Sequence, residues 1–165
     1  MRIGIYYYSR SGNTRTAAKL LEEKLKERKI DVTLIEIETV KKPGLLTAGY
    51  AATRQKELPL KNTGFDLKEC DALLVGCPIW GGKPSPVVKT FFEKATNGKG
   101  KKVGLFVSAG SPPGSQTRAA DLMKTYALSK GFSPVDAFLS LQMMNGEIKD
   151  GTQLVPHFLE KVITL

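Results

Sequence analysis

The chain has 165 residues, 41% hydrophobic and 25% charged, an ordinary balance for a soluble globular domain. No apolar run approaches the roughly 20 residues that span a bilayer, and two scattered cysteines with one histidine argue against a soft-metal site. The 25 Lys and Arg against 16 Asp and Glu give a net charge of +9, which favours acidic partners. That charge is dispersed along the chain, without the interleaved aromatic and basic pattern of a nucleic-acid face.

Met1 leads directly into a strand-like run, so no secretory signal and a cytoplasmic location are expected. Arg2 to Tyr8 is rich in β-formers and predicts a strand. Asn13 to Lys29 follows with Ala17, Leu20, Leu21 and Leu25 at helical spacing. Asp31 to Glu38 alternates and predicts a second strand, and a helix is expected around Leu45 to Gln55 in an otherwise irregular stretch. Asp71 to Cys77 and Lys102 to Ser108 are continuous apolar runs, as in strands buried on both faces. Ser85 to Ala95 predicts a helix with Pro86 in its first turn, and Ser115 to Lys130 one that Gly131 ends. Ser133 to Leu141 reads as a strand and Thr152 to Thr164 as a closing helix. Strands alternating with helices imply an α/β fold with a parallel sheet, residues 1–165 forming one domain. Cys70 and Cys77 are expected as buried free thiols, His157 as a structural or surface residue, and Met143 and Met144 in packing.

Ligands of open parallel sheets bind at the carboxyl ends of the strands. The turns there read SRSGNT (9–14), PIWGGKPSP (78–86) and SAGSPPGS (108–115). The first delivers the chain into a helix start, where unpaired N–H groups and the helix dipole favour an anion. Ser9, Ser11, Asn13 and Thr14 add neutral donors, and Gly12 lets the backbone come close. A mere helix cap needs one such residue, so a phosphate cup is the better reading. No GxGxxG follows the first strand and no GxxxxGK[ST] occurs. The acidic residues of a receiver domain and the Cys-x5-Arg of a cysteine phosphatase are missing too, Lys83 standing at the arginine's place.

SRSGNT resembles the phosphate loop of flavodoxins, and LLVGCPIWGGKPSPVVKTFFEK (73–94) their flavin-contacting third-strand segment. The resemblance covers nearly the whole chain in element order. It implies a flavodoxin-like three-layer α/β/α sandwich, a five-stranded parallel sheet of order 2-1-3-4-5, and FMN as cofactor. Carried over by position, Ser9, Arg10, Ser11, Gly12, Asn13 and Thr14 would hold the FMN phosphate. Pro78, Ile79, Trp80, Gly81 and Gly82 would border the isoalloxazine, and Ser108, Ala109, Gly110, Ser111 and Gly114 would form the third wall. Two departures stand out. The third loop lacks the aromatic that covers the flavin in many flavodoxins, and the chain is basic where typical flavodoxins are acidic. Tyr50 is weighed as a substitute cover, core packing being the better expectation. GLLTAGYAATRQ (44–55) and the PxWxGxPxP loop are similar to flavodoxin-like proteins of anaerobic bacteria and archaea.

The resemblance therefore implies an electron carrier between redox partner proteins, without catalytic residues of its own. The alternative is an FMN-dependent NAD(P)H oxidoreductase of quinone-reductase type, which the open flavin face and basic surface suit. A flavin-free scaffold comes third. Neither nucleic-acid binding nor membrane insertion is expected, and the oligomeric state is left open.

Overall fold

The computed structural model describes residues 1–164. In chain order it begins with β1 (Arg2–Tyr7), α1 (Asn13–Glu27), β2 (Asp31–Glu36) and α2 (Leu45–Arg54). Next come β3 (Phe65–Asp66), β4 (Ala72–Trp80), β5 (Lys83–Pro84), α3 (Val87–Lys94) and β6 (Ala95–Thr96). The chain continues through β7 (Lys102–Ala109), α4 (Thr117–Ser129), β8 (Ser133–Met144) and β9 (Glu147–Asp150). A 3-10 turn over Thr152–Leu154 then leads into α5 (Val155–Ile163).

Strands β2-β1-β4-β7-β8 lie side by side in that order and run parallel. Counting only these principal strands reproduces the expected order. The expectation of a five-stranded, wholly parallel sheet is nevertheless wrong: the sheet has seven strands and is mixed. β9 folds back antiparallel on β8, β5 pairs antiparallel with the end of β4, and β3 and β6 make a separate two-stranded ribbon. The additions are short. β9 follows an Asn145-Gly146 turn in which both residues have positive φ, the geometry of a tight hairpin.

Alternation along the strands sorts side chains to two faces. Ile3, Ile5 and Tyr7 of β1 pack with Ala17, Leu21 and Leu25 of α1 and with Phe158, Leu159 and Val162 of α5. Tyr6 and Tyr8 point the other way, into a core shared with Val87, Val88 and Phe91 of α3 and Met123 and Ala127 of α4. Helices on both faces of one sheet make the three-layer, flavodoxin-like α/β/α fold. Tyr6, Phe65, Phe91, Phe92 and Phe132 form a run of ring contacts with centroids 4.9–5.9 Å apart, which fixes the second layer. Among the described residues, no helix is long and apolar enough to cross a membrane.

Candidate functional site

β1, β4 and β7 are neighbours with their carboxyl ends on one side, so the turns beyond them meet. The Tyr8 N–H donates to the Gly76 carbonyl at 3.0 Å, and Pro78 stands opposite Ser108 in the ladder.

In the first turn, Ser9 Oγ accepts the N–H groups of Gly12 (3.0 Å) and Arg15 (3.2 Å), curling the backbone around its own hydroxyl. Gly12 holds φ at +99°, which lets the chain swing abruptly into α1. The N–H groups of Asn13 and Thr14 find no acceptor among the described residues, and no acidic residue occupies the first turn of α1. A Cβ placed on Gly12 would meet only Arg15 Nη1, at 4.0 Å, so the space beside the turn is open. Unpaired donors, the positive end of a 15-residue helix and open space together fit a phosphate dianion.

The other members of this turn diverge. Thr14 is buried, and its Oγ1 lies 2.7 Å from Ser108 Oγ, joining the first turn to the third. Ser11 is exposed. Arg10 turns its Nε to the Pro43 carbonyl at 2.8 Å, tying the turn to the segment before α2. Arg15, next in the chain, clamps Glu36 with Nε (3.0 Å) and Nη2 (2.7 Å), and Tyr7 Oη donates to the same carboxylate at 3.1 Å. Burial, then the Glu36 charge, hold the Tyr7 phenol above its ordinary range.

The second segment is not the free loop its composition suggests. Pro78, Ile79 and Trp80 are the last residues of β4, and Gly81-Gly82, with φ of +57° and +77°, form a two-residue turn into β5. Trp80 pairs with Lys83 and Ile79 with Pro84. The Trp80 ring is part-buried, edge-on to Tyr8 with centroids 5.8 Å apart, while both glycines are exposed. Cys77, just inside, is fully enclosed, and burial pushes its thiol up to about 12. It is an inert free thiol, as is the buried Cys70.

In the third segment Ser108 and Ala109 end β7 and are buried, whereas Gly110, Ser111 and Gly114 are exposed. Two glutamines brace it. Gln142 Nε2 donates to the Gly110 carbonyl at 3.0 Å, and Gln116 Nε2 to Ser111 Oγ at 2.8 Å.

The sequence predicts α2 only as a helix. At its end Gln55 Nε2 donates to the carbonyls of Ala52 (2.6 Å) and Pro84 (3.2 Å), and Gln55 Oε1 accepts Tyr126 Oη at 2.7 Å. Lys83 Nζ donates to the Thr53 carbonyl at 2.8 Å. These contacts seat α2 against the Gly81-Gly82 hairpin. Apart from the Ala52 bond, they join residues about 30 to 70 positions apart, so no local pattern signals them. Tyr50, expected in the core, is instead 58% exposed: Ala48, Ala51 and Ala52 form the inner face of α2, and Tyr50 lies on the other side.

Residues 1–145 match the family described as NADPH-dependent FMN reductase. The minor allergen Alt a 7 of Alternaria alternata is 28% identical over 139 residues, 79% of this chain and 67% of that protein. A flavoprotein in complex with FMN from Lactobacillus acidophilus superposes with a TM-score of 0.61 at 22% identity, covering 84% of this chain and 91% of its own. A flavodoxin from Streptococcus pneumonia gives a TM-score of 0.64 at 20% identity, over 98% and 97%. At such identities the solved structures establish a common fold. The family match, running through all three turns, goes further: this chain belongs to the NADPH-dependent FMN reductase family, a flavodoxin-like family of FMN-binding proteins.

Proposed function

We propose that residues 1–165 act as one cytoplasmic domain that binds FMN and transfers electrons between redox partner proteins. The observation that carries this reading is the open, donor-rich corner at the start of α1, where Asn13 and Thr14 present unpaired N–H groups. Ser9, Ser11, Gly12, Asn13 and Thr14 hold the phosphate, with Arg10 at the rim adding charge from its free guanidinium nitrogens. Pro78, Ile79, Trp80, Gly81 and Gly82 border the ring on one side, and Ser108, Ala109, Gly110, Ser111 and Gly114 on the other. FMN supplies the reversible uptake of electrons; the chain's residues bind it, orient it and set the charge around it. The hairpin glycines lack side chains, so the backbone there is free to approach the ring.

The family supports a second reading, in which NADPH reduces the bound FMN directly and the protein is a reductase. The absence of an aromatic in the third segment leaves room for a nicotinamide beside the ring. Anaerobic mixing of the FMN-loaded protein with NADPH, no other protein present, decides between them. Bleaching of the flavin absorbance within seconds establishes the reductase, and a spectrum unchanged over an hour establishes the carrier. A protein that takes up no FMN at all ends both readings.

A further inference from the structure

The stretch from Lys41 to Lys56 carries four cations, Lys41, Lys42, Arg54 and Lys56, and no acid; Glu38 and Glu57 lie outside it. All four are exposed, and among the described residues none makes an ion pair. Glu38, the acid on one flank, is already engaged by Lys61 at 3.0 Å.

Among these cations sit three apolar side chains open to solvent. Leu45 is 78% exposed, Leu46 91% and Tyr50 58%. Leu46 and Tyr50 are four residues apart on α2 and share a face, with Leu45 beside them. The inner face of α2 is alanine, so these three side chains stay outside the core. Single exposed leucines are ordinary, but a cluster with a charged rim marks a contact surface. The surface also adjoins the candidate site: Pro43 accepts Arg10 of the first turn, and Thr53 and Gln55 hold the hairpin of the second.

Charge selects the occupant. A second copy would press four unpaired cations against four more on a chain of net charge +9. Opposed like charges of that kind repel, so self-association through this face is disfavoured. A partner of opposite sign gains where a copy loses.

We propose that this face of α2 docks a small acidic redox protein. Its carboxylates meet Lys41, Lys42, Arg54 and Lys56, and its own apolar patch covers Leu45, Leu46 and Tyr50. The proposal rests on the electron-transfer reading above, because the face borders the turns assigned to the flavin. Contacts between redox proteins are small, typically below about 1,200 Å2, so three apolar anchors and a charged rim are sufficient. Release is then fast enough for the next partner to enter.

The test is an NMR titration of 15N-labelled, FMN-loaded protein with an acidic 2Fe–2S ferredoxin, and with basic cytochrome c as the opposite-charge control. Ferredoxin at low salt is expected to shift amides of residues 41–56 and of the Gly81-Gly82 turn. The shifts vanish at about 0.5 M NaCl, where screening is nearly complete. Cytochrome c leaves those amides unmoved. Leu46→Asp weakens ferredoxin binding about tenfold or more, as loss of a central anchor does, with the flavin spectrum and thermal midpoint unchanged. The proposal is overturned by shifts centred on Lys99, Lys101 and Lys102, by unaltered affinity in Leu46→Asp, or by a dimer of this chain that Leu46→Asp disperses. Should the protein fail to take up FMN, the flavin reading falls instead, and titrating the apoprotein still reports on the α2 face.

Discussion

Gly12 is where the chemistry of the first turn depends most on a single residue. Its φ of +99° is poor for any side chain, costing about 1–3 kcal/mol, although nothing nearby would clash with a Cβ. Gly12→Val is therefore expected to fold, somewhat destabilised, while its branch fills the space assigned to the phosphate. FMN affinity should drop about 100-fold or more, equivalent to one or two charge-assisted hydrogen bonds. Fluorescence titration of the apoprotein with FMN measures it, and unchanged affinity would remove the phosphate from this turn. The Thr14–Ser108 hydroxyl pair, 2.7 Å apart and buried, makes a second prediction. Ser108→Ala strands the Thr14 hydroxyl and should cost about 1–3 kcal/mol in urea unfolding. Thr14→Val combined with Ser108→Ala should cost less than the sum of the single changes, because the second deletion removes a group already unpaired. The small polar residues and Gly12 were legible because each has a local reason to be in a turn. The use of Arg10 on Pro43 was not, since its partner lies 33 positions away.

At the scale of elements, hydrophobic period revealed the principal strands and helices to within a few residues. It missed pieces too short to have a period. β3, β5 and β6 are two residues each, and they exist because neighbouring chain already lies at pairing distance. β9 did leave a signal, the Asn145-Gly146 pair between Met144 and Glu147. β4 outran its apolar core because Pro78 to Trp80 pair across to β5 and β7 rather than forming a loop. α2 is held by distant contacts, and Gln55 makes most of them. Gln55→Ala removes both donations and leaves Tyr126 Oη without its acceptor. Hydrogen exchange should then quicken across α2 and the Gly81-Gly82 turn, while the amides of β1, β4 and β7 keep their protection. A loss of about 1–3 kcal/mol accompanies it, lowering the thermal midpoint by a few degrees. Uniform acceleration throughout the molecule would show that α2 is not a separate unit.

The molecule as a whole encloses its weak acids in one direction. Burial raises the Cys77 thiol from an ordinary 9.0 to about 12, and burial is also the largest cause of the upward shifts of Tyr6, Tyr7, Tyr8 and Tyr126. Each is held neutral in the folded chain and ionises more readily once unfolded. The stability this represents is fully present below the unfolded value and is lost as pH rises through the folded one. For Cys77 that window runs from 9.0 to about 12. Across it, one such group removes at most about 1.4 kcal/mol per pH unit. Urea midpoints should therefore stay level with respect to these groups up to pH 9 and fall beyond it. Cys77→Ala should start lower, because it leaves a small cavity in a fully packed strand, but should fall less steeply above pH 9. The difference in slope, rather than the difference in midpoint, isolates the thiol from the cavity. Equal slopes would assign the whole alkaline loss to the tyrosines. With Cys70 replaced by Ala, an accelerated reaction of the folded protein with a thiol reagent at pH 9 would mean that Cys77 is not enclosed at all.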